Sequence, residues 1–319
     1  MKHTKKSLST PKRHILALAL LGLCSLSPLS WAQSAWPSKP ITLVVTYPPG
    51  GGADGMARLI APKMGEILGQ NVIVENRPGA GGQIGANAVA RATADGHTLL
   101  FDASSFAVNP SLYPKLPYDS SKAFKTIGVV ALFPNVVLVN AQFPARNLAE
   151  LIQLARSKKD SVSFASSGNG SAQHLAGALF ESAAKLEMVH VPYKGGGPAL
   201  NDVIGGQVPL FFGNLASTLQ HVQSGKLRAL AVTSGKRAAA LPDVPTLAEA
   251  GATGAEIYEW NALFAPSGTP DSTIAKLSEA MQKALDAPEV KARIAQLGGE
   301  VQKGGPVAAN DFVQGQMAQ

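Results

Sequence analysis

The sequence feature that most constrains the fold is a nearly continuous apolar run over residues 41–47 (ITLVVTY), which a glycine-rich turn follows directly. Such a β-branched run is typical of a strand buried on both faces. The turn at residues 48–52 ends it, and Asp54 can cap a following helix. Residues 72–74 and 98–101 repeat the strand pattern, the first again with a glycine loop and a helix. Three successive β-loop-α units predict a parallel, doubly wound sheet.

The pattern restarts after Asp119, which predicts a second α/β lobe. Asn147 with Glu150 resembles a capping box for a helix over Leu148–Ser157, and Ser171 can cap a helix over residues 172–185. A closing amphipathic helix is expected over residues 272–287. Strands are expected at residues 129–140 (interrupted at Pro134), 162–165, 188–191, 208–212, 227–232 and 257–265.

The N-terminus has the order of a secretory signal peptide. A basic, acid-free segment precedes the apolar run at residues 15–23, and small residues occupy Ser30 and Ala32. We therefore expect residues 1–32 to be removed by cleavage after Ala32, and a periplasmic location. A membrane anchor is the alternative, although the run is short for a bilayer span. Lipidation at Cys24 is a second alternative, but Leu23 is large for a lipobox.

Removing this segment changes the charge argument. The full chain has 28 basic and 21 acidic residues, for a net charge of +7. Five of the basic residues lie within residues 1–32, so the mature chain keeps 23 basic and 21 acidic residues and a net charge of +2. A basic nucleic-acid-binding surface is therefore not expected. The single cysteine is also lost, so the mature chain needs no disulfide.

A dinucleotide-binding motif is one interpretation of the first glycine turn. Residues 50–55 (GGGADG) match G-x-G-x-x-G after a strand, and Glu75 lies 20 residues beyond Gly55. Export argues against a nicotinamide cofactor, and so does a second turn of the same type at residues 78–82 (PGAGG). Glycine turns at helix N-termini also expose N–H groups that favour anions. Two such turns at neighbouring strand ends predict one anion-binding crevice.

Other candidate groups are weaker. Residues 166–171 offer hydroxyls at a strand-to-helix turn but do not match G-x-S-x-G. An exported hydrolase using one of these serines stays an alternative, as does a dinucleotide-binding oxidoreductase. The histidines at positions 97, 174, 190 and 221 have no metal-binding spacing, so neither a metal nor a cofactor is expected.

Several separated motifs, in order, resemble those of one family. They are Trp36-Pro37, residues 39–41 (KPI), 48–54 (PPGGGAD), 74–82 (VENRPGAGG), 109–113 (NPSLY), 190–195 (HVPYKG), 230–234 (LAVTS) and 241–246 (LPDVPT). The chain thereby resembles the extracytoplasmic receptors of tripartite tricarboxylate transporters, often called Bug proteins, from about residue 36 to 312. The resemblance implies a two-lobed type II periplasmic binding protein (a Venus flytrap), each lobe with a doubly wound, mainly parallel sheet.

The resemblance also implies lobe boundaries and a binding site. Lobe 1 would comprise residues 33–131 and 256–319, and lobe 2 residues 132–255. The protein would be a monomeric, non-enzymatic receptor for a small carboxylate, with membrane transporter subunits or a sensing system as its partner. The candidate ligand-binding residues are Tyr47, Pro49, Gly50, Gly51, Gly52, Ala53, Asp54, Arg77, Gly79, Ala80, Gly81, Gly82, Gln83, Ser104, Ser105, Ser166, Ser167, Gly168, Ser171, His174, Tyr193, Gly213 and Asn214.

Overall fold

A computed structural model describes the chain at Met1, residues 36–157 and residues 162–318. The predicted signal peptide, its cleavage after Ala32 and the alternatives of a lipidated Cys24 or an anchor concern residues that, apart from Met1, lie outside this part. Within the described residues, no helix is both long and apolar enough to cross a membrane. The description below concerns the unit Pro37–Gln319.

The first sheet confirms the parallel units predicted from the sequence. Strand β1 lies between two parallel neighbours, and Ile41, Leu43 and Val45 are fully buried in it. A helix follows each strand. These elements are β1 (Ile41–Val45), α1 (Gly52–Leu68), β2 (Val72–Asn76), α2 (Gln83–Ala90), β3 (Thr98–Ala103) and α3 (Ser105–Leu112).

Strand β4 (Phe124–Asn140) runs through both sheets of the molecule. The sequence predicted an interruption at Pro134, but the strand is continuous. Its pairing changes at this point: residues up to Pro134 pair within the first sheet, and residues from Asn135 pair within the second. A proline has no N–H to donate, and it is tolerated where a ladder changes partners.

The second sheet forms lobe 2. Strands β7, β5 and β6 are parallel in that order, while β7 and β8 pair antiparallel with β4. The elements are α4 (Leu148–Ser157), β5 (Ser163–Ser166), α5 (Ala172–Ala184), β6 (Val189–Pro192), α6 (Gly196–Ile204), β7 (Leu210–Asn214), α7 (Leu215–Gln223) and β8 (Leu227–Val232).

The chain then returns to the first sheet and completes lobe 1. Strand β9 inserts antiparallel between β3 and β4. Of the three helices after it, the first packs on α1 and β4, the second packs on the first, and the third packs on β4. These elements are β9 (Tyr258–Pro266), α8 (Asp271–Asp286), α9 (Pro288–Gln296), β10 (Glu300–Val301) and α10 (Pro306–Ala318). The lobe boundaries at 131/132 and 255/256 stay a prediction.

Two predicted helix caps are confirmed. The Oδ1 atom of Asn147 accepts a hydrogen bond from the Glu150 N–H at 2.9 Å, and the Glu150 carboxylate accepts from the Arg146 N–H at 2.7 Å. At the start of α5, the Ser171 hydroxyl oxygen accepts from the His174 N–H at 3.2 Å. These bonds satisfy donors that a helix start leaves free.

Candidate functional site

A small enclosed cavity lies between the two lobes. Its volume is about 20 Å³, which is room for about one water molecule. Lobe 1 supplies the turn before α1 and part of β9, and lobe 2 supplies the starts of three helices. The lining residues are Tyr47, Gly51, Gly52, Ala53, Ser167, Gln173, Gly196, Asn214, Ser217 and Glu259.

The first glycine loop, residues 50–54, brings the N-terminus of α1 to this cavity. The prediction that Asp54 caps this helix is wrong: Gly51 is the N-cap, and it has no side chain to occupy the first N–H groups of the helix. An uncapped helix start leaves these donors available at the positive end of the helix dipole. Gly51, Gly52 and Ala53 all line the cavity, so this wall suits an anion.

Asp54 holds the loop in place and does not line the cavity. Its carboxylate accepts hydrogen bonds from the Gly50 N–H at 3.0 Å, Arg58 Nε at 2.9 Å and Asn76 Nδ2 at 2.8 Å. Burial acts to raise the pKa of Asp54, but these donors outweigh it, and the pKa lies below its ordinary value of 3.8. The Gly50 N–H is therefore already engaged, and the donors that remain in this loop follow it.

Close backbone approach brings the lobes together at this loop. A Cβ atom on Gly52 would lie 2.9 Å from Cγ of Asn214 in lobe 2. A Cβ atom on Gly197 in lobe 2 would lie 3.3 Å from the carbonyl oxygen of Pro49. Because side chains at these positions would hold the lobes apart, the glycines permit the closed arrangement.

Sequence reasoning missed a buried acid in the cavity wall. Glu259 on β9 is 6% exposed, and its carboxylate accepts a hydrogen bond from Gln173 Nε2. Burial raises the pKa of Glu259, while the amides of Asn214, Gln173 and Asn261 act in the opposite direction. Gln173 also donates to Asn135 Oδ1 at 3.1 Å, which fixes its side chain. No local motif marks Glu259, because it reaches the cavity only through the return of β9 to the first sheet.

Tyr47 closes the cavity beside this acid. Its hydroxyl lies 2.5 Å from Oγ of Ser105. Burial raises the pKa of Tyr47, and the nearby carboxyls of Asp102 and Glu259 add to the effect. The neighbouring Ser104 Oγ accepts from the backbone N–H of Trp260 at 3.0 Å. Both predicted serines are therefore engaged within the protein, and Tyr47 is the residue of this group that lines the cavity.

The second glycine loop, residues 79–83, does not line the cavity. Gly79, Ala80, Gly81 and Gly82 all have positive φ angles, of 128°, 49°, 63° and 91°. The loop packs inward, where the Gly81 carbonyl oxygen accepts from Asn109 Nδ2 at 2.9 Å. It also approaches lobe 2, since a Cβ atom on Gly81 would lie 3.5 Å from the carbonyl oxygen of Asn169. Gln83 is buried as the first residue of α2.

A second aspartate lies beneath this loop. Asp102 is fully buried, and its Oδ1 atom accepts from Thr46 Oγ1 at 2.6 Å. A Cβ atom on Gly82 would lie 3.4 Å from the same oxygen. Burial raises the pKa of Asp102 to about 7, against the hydrogen bonds from Thr46 and the Ala103 N–H. Arg77, the cation nearest this loop in sequence, pairs with Glu75 at 2.6 Å and is half exposed.

A serine–histidine pair is present in lobe 2 but is poorly suited to catalysis. Ser166 Oγ lies 2.6 Å from Nε2 of His190, yet Ser166 is fully buried. The His190 ring stacks on His174 and Phe164 at centroid distances of 4.1 and 4.9 Å. Burial, with the adjacent His174, lowers the pKa of His190 to about 4. An imidazole this acidic is a weak general base at neutral pH.

The remaining predicted site residues of lobe 2 differ in position. Ser167 and Asn214 line the cavity. Ser171 caps α5 and donates to the Gly168 carbonyl oxygen at 2.7 Å. The Tyr193 hydroxyl donates to Asp202 Oδ2 at 2.6 Å, and burial raises its pKa to about 12. These contacts turn the Ser171 and Tyr193 hydroxyls toward the protein.

Gly213 and His174 also serve local structure. A Cβ atom on Gly213 would lie 2.7 Å from the side chains of Phe211 and Thr218. His174 Nδ1 accepts from the Gly170 N–H at 3.2 Å, which steadies the turn before α5. Across the described residues, no cluster of three histidine, cysteine, aspartate or glutamate side chains could hold a metal ion.

Comparison with known proteins places this architecture in a family. Residues 56–319 match the family model described as tripartite tricarboxylate transporter family receptor. A relative from Pseudomonas sp. (strain P51), the UPF0065 protein in the tcbD-tcbE intergenic region, is 40% identical over 302 residues, which cover 94% of this chain and 90% of that protein.

Solved structures agree with this assignment. The periplasmic binding protein BugD superimposes with a TM-score of 0.86 at 39% identity, covering 89% of this chain and 96% of BugD. Rpa4515 of R. palustris with adipate superimposes with a TM-score of 0.86 at 34% identity, covering 89% of this chain and 95% of Rpa4515. MatC from Rhodopseudomonas palustris with bound malate superimposes with a TM-score of 0.83 at 34% identity, covering 89% of this chain and 98% of MatC. The chain belongs to the tripartite tricarboxylate transporter receptor family and has the two-lobed type II periplasmic binding fold.

Proposed function

We propose that this protein is a periplasmic receptor that captures a small carboxylate between its lobes. The observation that carries the proposal is the enclosed cavity at the uncapped N-terminus of α1, where helix donors meet residues of lobe 2. Similar proteins have been solved with adipate and with malate. We extend their ligand class to this chain, with transporter subunits or a sensing system as the partner of a monomeric receptor.

The geometry supports capture by closure. A cavity of about 20 Å³ has room for about one water molecule, so an organic acid can enter only when the lobes separate. Ligand would then favour the closed population over the open one. β4 and the segment between β8 and β9 are the proposed crossing segments.

Positive charge lies at the approach to this site. A larger groove of about 370 Å³ shares Gly51, Gly52 and Ser217 with the cavity, and both Arg58 and Arg293 line it. Arg58 is paired with Asp54, whereas Arg293 extends from the exposed side of α9. Such charge raises the local concentration of anionic ligands and their association rate.

The two enzymatic alternatives are less well supported. A hydrolase would need a serine paired with a general base, but the serine of residues 166–171 that contacts a histidine ring, Ser166, is buried, and the pKa of its partner His190 is low. A dinucleotide enzyme would use the acid after the second strand, Glu75, to bind a ribose hydroxyl, but Glu75 is paired with Arg77. The family and the similar structures are binding proteins.

A thermal-shift screen of ligand-free protein tests the proposal. Dicarboxylates, aromatic acids and amino acids would each be added, and a true ligand at 100 times its Kd adds about 2.7 kcal/mol of stability. Small-angle scattering with the best ligand should then show a smaller radius of gyration. Ester turnover or NAD binding without any carboxylate response would overturn it.

Export is a separate part of the proposal. Intact-mass measurement of periplasmic protein should give a chain that begins at residue 33, because Ser30 and Ala32 are the small residues in register after the apolar run. A chain that keeps Trp31, or one lipidated at Cys24, would contradict this.

A further inference from the structure

We infer that Glu259 is a specificity-determining residue that selects acids carrying a protonated amino group close to the bound carboxylate. The inference rests on the proposed function and narrows its ligand class to zwitterionic acids. Glu259 lines the same cavity as Gly51, Gly52 and Ala53. One cavity therefore presents helix N–H donors on one side and a carboxylate on another.

The charge balance of the cavity carries the first step. Apart from the Tyr47 phenol, Glu259 is the single ionisable side chain among the ten lining residues. In the described part of the chain, no lysine or arginine forms a salt bridge with it. A simple carboxylate would bring a second negative charge into this enclosed space, where like charges repel strongly. A zwitterion brings no net charge.

The neighbours of Glu259 indicate that its carboxyl group is an acceptor. Gln173 Nε2 donates to it, and the amides of Asn214 and Asn261 also stabilise its charged form. Gln173 Nε2 also donates a hydrogen bond to Asn135 Oδ1, which fixes the orientation of its amide toward Glu259. An ionised carboxylate has about four acceptor sites, and the hydrogen bond from Gln173 occupies one of them, which leaves places for a donor from the ligand.

Burial supplies the reason for a cationic donor. A buried charge is costly unless it is paired and hydrogen-bonded, and burial raises the pKa of Glu259. A ligand ammonium would supply the positive partner that the described residues do not. The attraction would be strongest in the closed state, where water is excluded from both groups.

Matched sets of acids that differ at one carbon test the inference. We would use aspartate, malate and succinate; alanine, lactate and propionate; and phenylalanine, phenyllactate and phenylpropionate. Calorimetry with wild-type protein should show the amino member of at least one set binding most tightly. Glu259→Gln should weaken the binding of that amino acid roughly 30-fold or more. The three members of the set should then bind with similar affinities.

Two further variants serve as controls. Glu279→Gln removes the same charge from an exposed i,i+4 pair with Lys283 and should leave every affinity unchanged. Glu259→Asp keeps the charge on a shorter side chain, so it should weaken binding yet keep the preference for the amino member. This second variant also covers the case in which Glu259→Gln does not fold, which circular dichroism would reveal.

The outcomes separate this inference from the proposed function. If no acid of any set binds wild-type protein, the proposed function fails. If acids bind but Glu259→Gln leaves the order within each set unchanged, the function stands and the inference is overturned. If the unsubstituted acid of every set binds best and Glu259→Gln weakens its binding, Glu259 acts as a protonated donor toward a ligand carboxylate, which also overturns the inference.

Discussion

The two glycine loops of lobe 1 look alike in the sequence but use glycine for different purposes. In residues 50–54 only Gly50 has a positive φ, of 86°, and the glycines after it permit close approach at the cavity. In residues 79–82 every residue has a positive φ, and the loop is packed beneath α3. Glycine thus provides access in the first loop and backbone conformation in the second.

The aspartates that support the two loops also differ, because their pKa values are shifted in opposite directions. Asp54 receives three donors, including the cationic Arg58, and its pKa is lowered. Asp102 is fully buried with donors from Thr46 and a backbone N–H, and its pKa is raised to about 7. The first loop is therefore fastened by a charged group that can orient an anion site. The second is supported by an acid that favours its neutral form.

The largest expected effect follows from Asp102. In the folded protein the Asp102 carboxyl keeps its proton up to its pKa of about 7, whereas in the unfolded chain it releases the proton near pH ~3.9. The folded state therefore binds more protons between these values, and the contribution of Asp102 to stability falls as pH rises. The full change corresponds to about 4 kcal/mol. Asp102→Asn imitates the neutral acid, so its stability relative to wild type should increase from pH 4 to pH 7.

Urea unfolding of both proteins across this pH range measures the difference. Asp54→Asn is the matched control, because the lowered pKa of Asp54 confines the pH dependence of its contribution to acidic pH. That contribution is present above pH 3.8 and is lost as pH falls through the folded pKa. The difference between this control and wild type should be constant from pH 5 to pH 8. A constant difference for Asp102→Asn as well would show that Asp102 is ionised throughout.

The next effect concerns closure at the first loop. Gly52→Ala places a Cβ atom 2.9 Å from Asn214 Cγ, so the lobes must stay slightly apart. Overpacking of this kind costs roughly 1–3 kcal/mol, which corresponds to about a 5- to 150-fold loss of affinity. The ligand-free protein should be as stable as wild type, because alanine favours a helix more than glycine does. Calorimetry and thermal unfolding measure the two quantities.

Two other glycines sharpen this comparison. Gly55→Ala lies in the same helix with nothing within 4 Å, so it should leave affinity unchanged and raise stability by roughly 0.5–1 kcal/mol. Gly82→Ala lies in the second loop at a φ of +91°, where an L-residue costs roughly 1–2 kcal/mol. We expect that variant to lose stability mainly. Equal losses of affinity from Gly52→Ala and Gly82→Ala, at equal stability, would remove the distinction between the loops.

The fold was predictable where strands are buried and helices are amphipathic. The apolar runs placed β1, β3 and β8 closely, because burial on both faces leaves a continuous signal. Helices α3, α6, α7, α9 and α10 were missed. Two of them contain an internal proline, Pro110 in α3 and Pro198 in α6, and these two sequences resemble turns. Tertiary packing decides such short segments more than local propensity does.

The site was predictable only in part. A strand, a glycine turn and a helix in succession suffice to predict an anion-favouring loop at residues 50–54. The different packing of residues 79–83 depends on Asn109 and Asp102, which come from another unit of the sheet. Glu259 enters through a strand from the far end of the chain. Contacts between segments this distant leave no local pattern in the sequence.

The smallest expected effect is that of Arg77→Ala, which tests whether a side-chain cation shares the work of the backbone donors. Arg77 does not line the cavity, and its Nε atom is bonded to Glu75 in a pair that is nearly half exposed on both sides. Exposed pairs contribute roughly 0–1 kcal/mol, and salt screens them. Affinity should therefore fall by about fivefold or less. Calorimetry at low and at moderate salt measures it, and a loss approaching that of Gly52→Ala would mean that Arg77 reaches the ligand when the lobes open.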